Sequence, residues 1–121
     1  MSESELAREI FAQPDLLERF RAAEGADLRE LGARIAARQP TGVMIAARGS
    51  SDHAAVYAKY LLGARARIPV ALAAPSLFTI YERAPRLAGW VVIAISQSGA
   101  SPDVVRVIET GGTDDIFMVS R

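Results

Sequence analysis

Two apolar runs constrain this chain more than any other feature. Gly42-Val43-Met44-Ile45-Ala46-Ala47 and Trp90-Val91-Val92-Ile93-Ala94-Ile95 contain no polar residue at alternate positions. A strand with one wet face alternates apolar and polar side chains, so runs like these belong to strands covered on both faces. Each run is followed by a stretch of helical character. Asp52 to about Arg65 follows the first and is closed by Pro69; Pro102 to about Thr110 follows the second and is ended by Gly111-Gly112. Val70 to Ala74 reads as a further strand, Ser76 is placed to cap a short helix through Tyr81, and Ile116 to Val119 is apolar enough for a fourth strand. Doubly buried strands alternating with helices predict an α/β fold. The expected form is a doubly wound, flavodoxin-like parallel sheet in a three-layer αβα arrangement, with strand order 2-1-3-4.

The first 40 residues differ from the rest and predict N-terminal helices. Ser2 with Glu5 has the form of a capping box, Leu6 and Ile10 share a face, and Gln13-Pro14 is expected to interrupt that helix. A second helical stretch is expected from Leu16 and Leu17 through Phe20, Leu28, Leu31 and Ile35. Their three- and four-residue spacing makes an apolar stripe, which needs either the sheet or a second copy of itself as partner. The expected division is therefore residues 1–40 as helices and 41–121 as the α/β domain.

Composition removes several function classes. Lysine plus arginine equals aspartate plus glutamate at 14 each, so no long-range positive field gathers nucleic acid or an anionic membrane. The absence of cysteine excludes disulfides, thiolate zinc sites and cysteine nucleophiles. No residues have metal-ligand spacing, and neither a Walker loop nor a Rossmann glycine fingerprint is present. No metal, cofactor, nucleic-acid or membrane partner is expected. With no apolar run near the roughly 20 residues that span a bilayer, a cytoplasmic location is the default expectation.

Chemistry concentrates where the two buried strands end. Ser96-Gln97-Ser98-Gly99-Ala100-Ser101-Pro102 joins the second run to its helix; three serine hydroxyls and a carboxamide precede N–H groups that lack intrahelical partners. Arg48-Gly49-Ser50-Ser51 follows the first run in the same way. In the order 2-1-3-4 the two strands are neighbours and their helices leave toward opposite faces, so a crevice opens between the loops. Hydroxyls, an amide and backbone N–H groups converging from several directions suit the tetrahedral oxygens of a phosphate monoester. Arg48 either adds charge there or points to solvent. Ser101, followed by Pro102 and Asp103, is also a good N-cap, and Gly49 and Gly99 are the supporting turn residues. His53 and Asp52 fit first-turn roles better than catalytic ones. Glu82 and Arg83 are close enough in sequence to reach the crevice, although surface charges are the plainer reading. Trp90 reads as a packing residue.

The segments Arg48-Gly49-Ser50-Ser51-Asp52-His53-Ala54 and Ser96-Gln97-Ser98-Gly99-Ala100-Ser101-Pro102-Asp103 resemble the two phosphosugar-binding loops of sugar isomerase (SIS) domains. The resemblance extends over about residues 1 to 110, including Glu9-Ile10-Phe11-Ala12-Gln13-Pro14 and Tyr57-Ala58-Lys59-Tyr60-Leu61-Leu62. It points toward the isomerase half of glutamine–fructose-6-phosphate aminotransferases, and more closely toward SIS-type glucosamine-6-phosphate deaminases and ketose/aldose isomerases. It implies that Ser51, Ser96, Gln97, Ser98 and Ser101 hold the phosphate of a hexose or hexosamine 6-phosphate, with Ser50 beside them. It also implies an incomplete SIS domain, a homodimer, and catalytic groups on a second domain and a neighbouring subunit, so none is assigned here. Three readings follow: the phosphate-gripping N-terminal part of an amino-sugar-phosphate isomerase or deaminase, a free-standing phosphosugar sensor, or a dimerisation scaffold.

Overall fold

The computed structural model describes residues 4–113 and 115–120. Its elements run α1 (Glu5–Ala37), β1 (Gly42–Ala47), α2 (Ser51–Ala66), β2 (Val70–Leu72), α3 (Pro75–Thr79), β3 (Trp90–Ser96), α4 (Pro102–Thr110) and β4 (Ile116–Ser120). The four strands form one sheet in the order β2-β1-β3-β4, and every pairing is parallel. This is the α/β arrangement and strand order expected from the two buried runs.

The chain divides into a unit ending at Ala37 and one beginning at Arg38. The first unit is a single helix, not the two expected. Pro14 lies inside it, and none of its residues is buried. Proline removes one N–H, which leaves the carbonyl of Ile10 without its usual donor; Ile10 and Gln13 are exposed, so water can take that place. The capping box expected of Ser2 and Glu5 lies partly outside the described residues. Ser4 is the observed cap: its hydroxyl oxygen accepts the Ala7 N–H and its carbonyl accepts the Arg8 N–H, both at 3.1 Å. Leu6, Ile10, Phe11, Leu16, Leu17, Phe20 and Leu28 are all exposed along this helix.

In the second unit the pleat sorts the core. Met44, Ala46 and Val92 gather with Phe78, Leu87 and Val107 in one buried cluster, which places α3 and α4 together on one face. Val43, Ile45 and Val91 alternate to the other face, where α2 packs along β1, β2 and β3 and buries Ala55. Gly42 pairs with Trp90 in the ladder, and a Cβ at Gly42 would lie 2.4 Å from the indole. The missing side chain is what seats Trp90 over the strand, so Trp90 is a packing residue.

At the amino-terminal end of the strands, polar groups tie the turns. Thr41 donates its N–H and hydroxyl to the Gly89 carbonyl at 2.9 and 3.2 Å, the Thr113 hydroxyl donates to the Trp90 carbonyl at 3.1 Å, and Arg38 pairs with Asp115 at 3.2 Å. Two local expectations need correction. β2 is three residues long, ending at Leu72. The short helix begins at Pro75, with Ala74 in the N-cap position, and ends at Thr79. Ser76 is therefore inside it, accepting the Ile80 and Tyr81 N–H groups on its carbonyl. Proline's fixed φ is already helical, so Pro75 starts the turn without a side-chain cap.

Candidate functional site

The carboxyl ends of β1 and β3 are adjacent, since Ala47 pairs with Ile95 at the last step of their ladder. Their following loops therefore leave the sheet side by side, while the helices they feed pack on opposite faces. Between them is a cleft of about 260 Å³ lined by Gly49, Ser50, Ser51, Ser96, Gln97, Ser98 and Ser101, together with Arg48, Ile95 and Val104. The structure thus brings every polar residue singled out in the two loops to one place. Gly99 supports the turn rather than lining the cleft.

Both turns depend on left-handed backbone. Gly49 has φ of 62° and Gly99 has φ of 68°, a region where a Cβ would crowd the following carbonyl. Gly99 donates its N–H to the Ser96 hydroxyl oxygen and Ala100 donates to that of Ser98, each at 3.1 Å. A serine oxygen that accepts a backbone N–H keeps its own O–H to donate. Ser96 is also buried, at 6% exposure. Its position is thereby fixed from both sides, by strand pairing and by the turn it closes.

The remaining donors are left free by the helix starts. Ser50 occupies the N-cap position of α2 with helical φ and ψ, and its side chain makes no capping bond. The first turn of α2 is closed by backbone instead, Asp52 N–H to Gly49 carbonyl at 3.1 Å and His53 N–H to Ser50 carbonyl at 3.2 Å. Ser101 is likewise in the N-cap position of α4 without a side-chain capping bond. The expectation that Ser101 would cap its helix is met by position only; its carbonyl accepts the Val105 N–H at 2.9 Å, and its hydroxyl stays available. Pro102 opens the helix with its φ already helical.

Arg48 is neither a free cation nor a purely solvent-facing one. Its Nε forms an ion pair with Asp103 Oδ2 at 3.1 Å, linking the loop after β1 to the first turn of α4. Asp103 was not among the expected site residues. The signal for it was opposite charge in the two segments that follow the neighbouring strands, Arg48 directly after β1 and Asp103 in the first turn of α4. Glu82 and Arg83 are exposed and do not line the cleft. His53 is exposed and outside it as well; Asp52 lines a second cleft of about 220 Å³ shared with Arg48 and Gly49. Among the described residues, no group of His, Cys, Asp and Glu could hold a metal ion, and no helix is long and apolar enough to cross a membrane.

No protein-family model matches the sequence, and no curated protein does. Solved structures do. A candidate phosphosugar isomerase of Silicibacter pomeroyi DSS-3 is 34% identical, with a TM-score of 0.83 over 93% of this chain and 35% of that one. The fold is that of a sugar isomerase (SIS) domain. Two further SIS-type structures share it: the C-terminal domain of glucosamine-fructose-6-phosphate aminotransferase from Francisella tularensis (22% identity, TM-score 0.76, 99% of this chain and 37% of that) and tagatose-6-phosphate ketose/aldose isomerase from Escherichia coli (16% identity, TM-score 0.71, 94% and 33%). At those identities they speak to the SIS fold alone. The chain spans about a third of the length of each of these SIS proteins.

Proposed function

We propose that the cleft between the loops after β1 and β3 grips the phosphate of a hexose or hexosamine 6-phosphate, with Ser50, Ser51, Ser96, Gln97, Ser98 and Ser101 as donors. One observation carries this reading: six donor side chains from two separate strand–helix units line one cleft, and none of them is consumed by capping a helix. A polar crevice beyond the carboxyl ends of parallel strands, at the point where the strand order reverses, is where α/β sheets place ligands. The 34% identity to a candidate phosphosugar isomerase supports the same ligand class.

On this reading the chain is the N-terminal part of an amino-sugar-phosphate isomerase or deaminase, working in the cytoplasm as a homodimer. Residues 41–121 hold the substrate and residues 1–40 form the helical lead-in. Moving a proton between two sugar carbons requires a base beside the carbon and a donor for the enediolate oxygen. Among the described residues, the only ionisable side chain lining the cleft is Arg48, so these residues bind and orient the phosphate end, and other segments of the assembly move protons.

The test is thermal denaturation with glucosamine 6-phosphate, fructose 6-phosphate, the unphosphorylated sugars and inorganic phosphate. A ligand at 100 times its Kd adds about 2.7 kcal/mol to the folded state. Sugar phosphates should raise Tm by several degrees, the free sugars should not, and Ser98→Ala should lose most of the effect. A cooperative melt that no phosphate compound shifts would overturn the reading.

A further inference from the structure

The ion pair between Arg48 and Asp103 raises a question that the phosphate reading leaves unanswered. A carboxylate beside an anion-binding cleft repels the ligand, yet Asp103 sits in the first turn of α4, next to Ser101, with its side chain about one-third exposed. A favourable place at a helix N-terminus accounts for an acidic residue there. It does not account for the pairing. Asp52 occupies the equivalent turn of α2 and makes no ion pair among the described residues.

We propose that Asp103 is a positioning residue of the cleft, clasping the loop after β1 to the loop after β3 through Arg48 and holding the guanidinium at the mouth of the site. This rests on the reading of the cleft as a phosphate site. Arg48 Nε and Asp103 Oδ2 are 3.1 Å apart, and their residues belong to the two units whose hydroxyls face each other across the cleft. No other side-chain hydrogen bond or ion pair among the described residues joins these loops; the bonds of Ser96 and Ser98 stay within their own loop. A guanidinium presents five N–H donors in a fixed fork, and the ion pair with Asp103 engages its Nε edge. The terminal N–H groups remain for an anion. Without the carboxylate, a long, 60% exposed side chain samples many rotamers and reaches the anion in few of them. The net effect of Asp103 on phosphate binding is then favourable, because the guanidinium it fixes outweighs the repulsion it adds.

The sign of that effect makes the experiment decisive. Binding of inorganic phosphate and of glucosamine 6-phosphate is measured by titration calorimetry for the wild type, Asp103→Asn, Asp103→Glu, Arg48→Met and the double variant Arg48→Met/Asp103→Asn, with Asp52→Asn as a control and thermal melts to verify folding. Removing a carboxylate from an anion site ordinarily tightens binding; here Asp103→Asn should weaken it by roughly two- to fivefold, the scale of an exposed ion pair. Asp103→Glu should stay near the wild type, Asp52→Asn should not weaken binding, and the double variant should be no worse than Arg48→Met alone. Asp103→Asn binding as tightly as the wild type or tighter, or losses in the two single variants that simply multiply in the double, would overturn the clasp while leaving the phosphate site standing. Cooperative melts with no binding by the wild type would overturn the phosphate reading and the clasp together.

Discussion

Ser96 and Gly42 show how much single residues decide here. Ser96 ends a buried strand, closes a turn by accepting the Gly99 N–H, and turns its remaining donor capacity toward the cleft. Stability and binding are therefore joined in that one hydroxyl, whereas Ser98, exposed and bonded to Ala100 within its own loop, separates them better. Gly42 has no part in binding. It makes room for Trp90, and Gly42→Ala would bring a methyl to 2.4 Å from the indole. Overpacking of this kind costs about 1–3 kcal/mol. Because Trp90 is the one tryptophan of the chain, its emission reports the displacement directly. The expected result is a lower Tm with a red-shifted spectrum; an unchanged spectrum and melt would show that the indole has another seat.

Elements differ in how they are held. β1 and β3 were legible residue by residue because burial on both faces leaves no polar position to confuse the pattern. β2 is two residues shorter than expected, since apolar Ala73 and Ala74 resemble strand but extend past the ladder, which ends at Leu72. The helix break expected at Pro14 failed because an exposed helix can hydrate the carbonyl that proline leaves unpaired. α3 is the extreme case. Five residues cannot sustain a helix alone, and its one buried side chain is Phe78, set among Met44, Ala46, Leu87, Val92 and Val107. Phe78→Ala should cost about 3–5 kcal/mol. That is a large part of the stability of a domain this size. Chemical denaturation should show a much lower midpoint, with faster hydrogen exchange over 75–81. A midpoint within error of the wild type would mean that Pro75 and the backbone turn alone hold the segment.

At the scale of the molecule, the strand order matters more than any one element. Strands β1 and β3 are separated by more than 40 residues in sequence and paired along their whole length, and that pairing is what makes two ordinary serine-rich turns into one cleft. The first unit presents the opposite situation: its helix of 33 residues carries several large apolar side chains and no buried residue. On the proposed homodimer reading, association through that stripe would cover it, and the balanced formal charge opposes no approach of a second copy. Light scattering should give twice the chain mass of 13.0 kDa, and Leu16→Glu with Phe20→Glu should return the protein to a monomer. A wild-type monomer at high concentration would remove the homodimer from the proposed function.

The sequence by itself determined which segments are buried strands, which turns carry hydroxyl and amide donors, and that the chain has no cysteine and a balanced formal charge. These are local properties, set by the residues within one turn or one strand of each other. Only the tertiary structure decided that Ser50 and Ser101 leave their hydroxyls uncapped, that Arg48 is tied to Asp103, and that Glu82, Arg83 and His53 stand away from the cleft. Each of those depends on where a distant strand lies in the sheet and how closely the next helix approaches it, and neither is encoded in the periodicity of any single stretch.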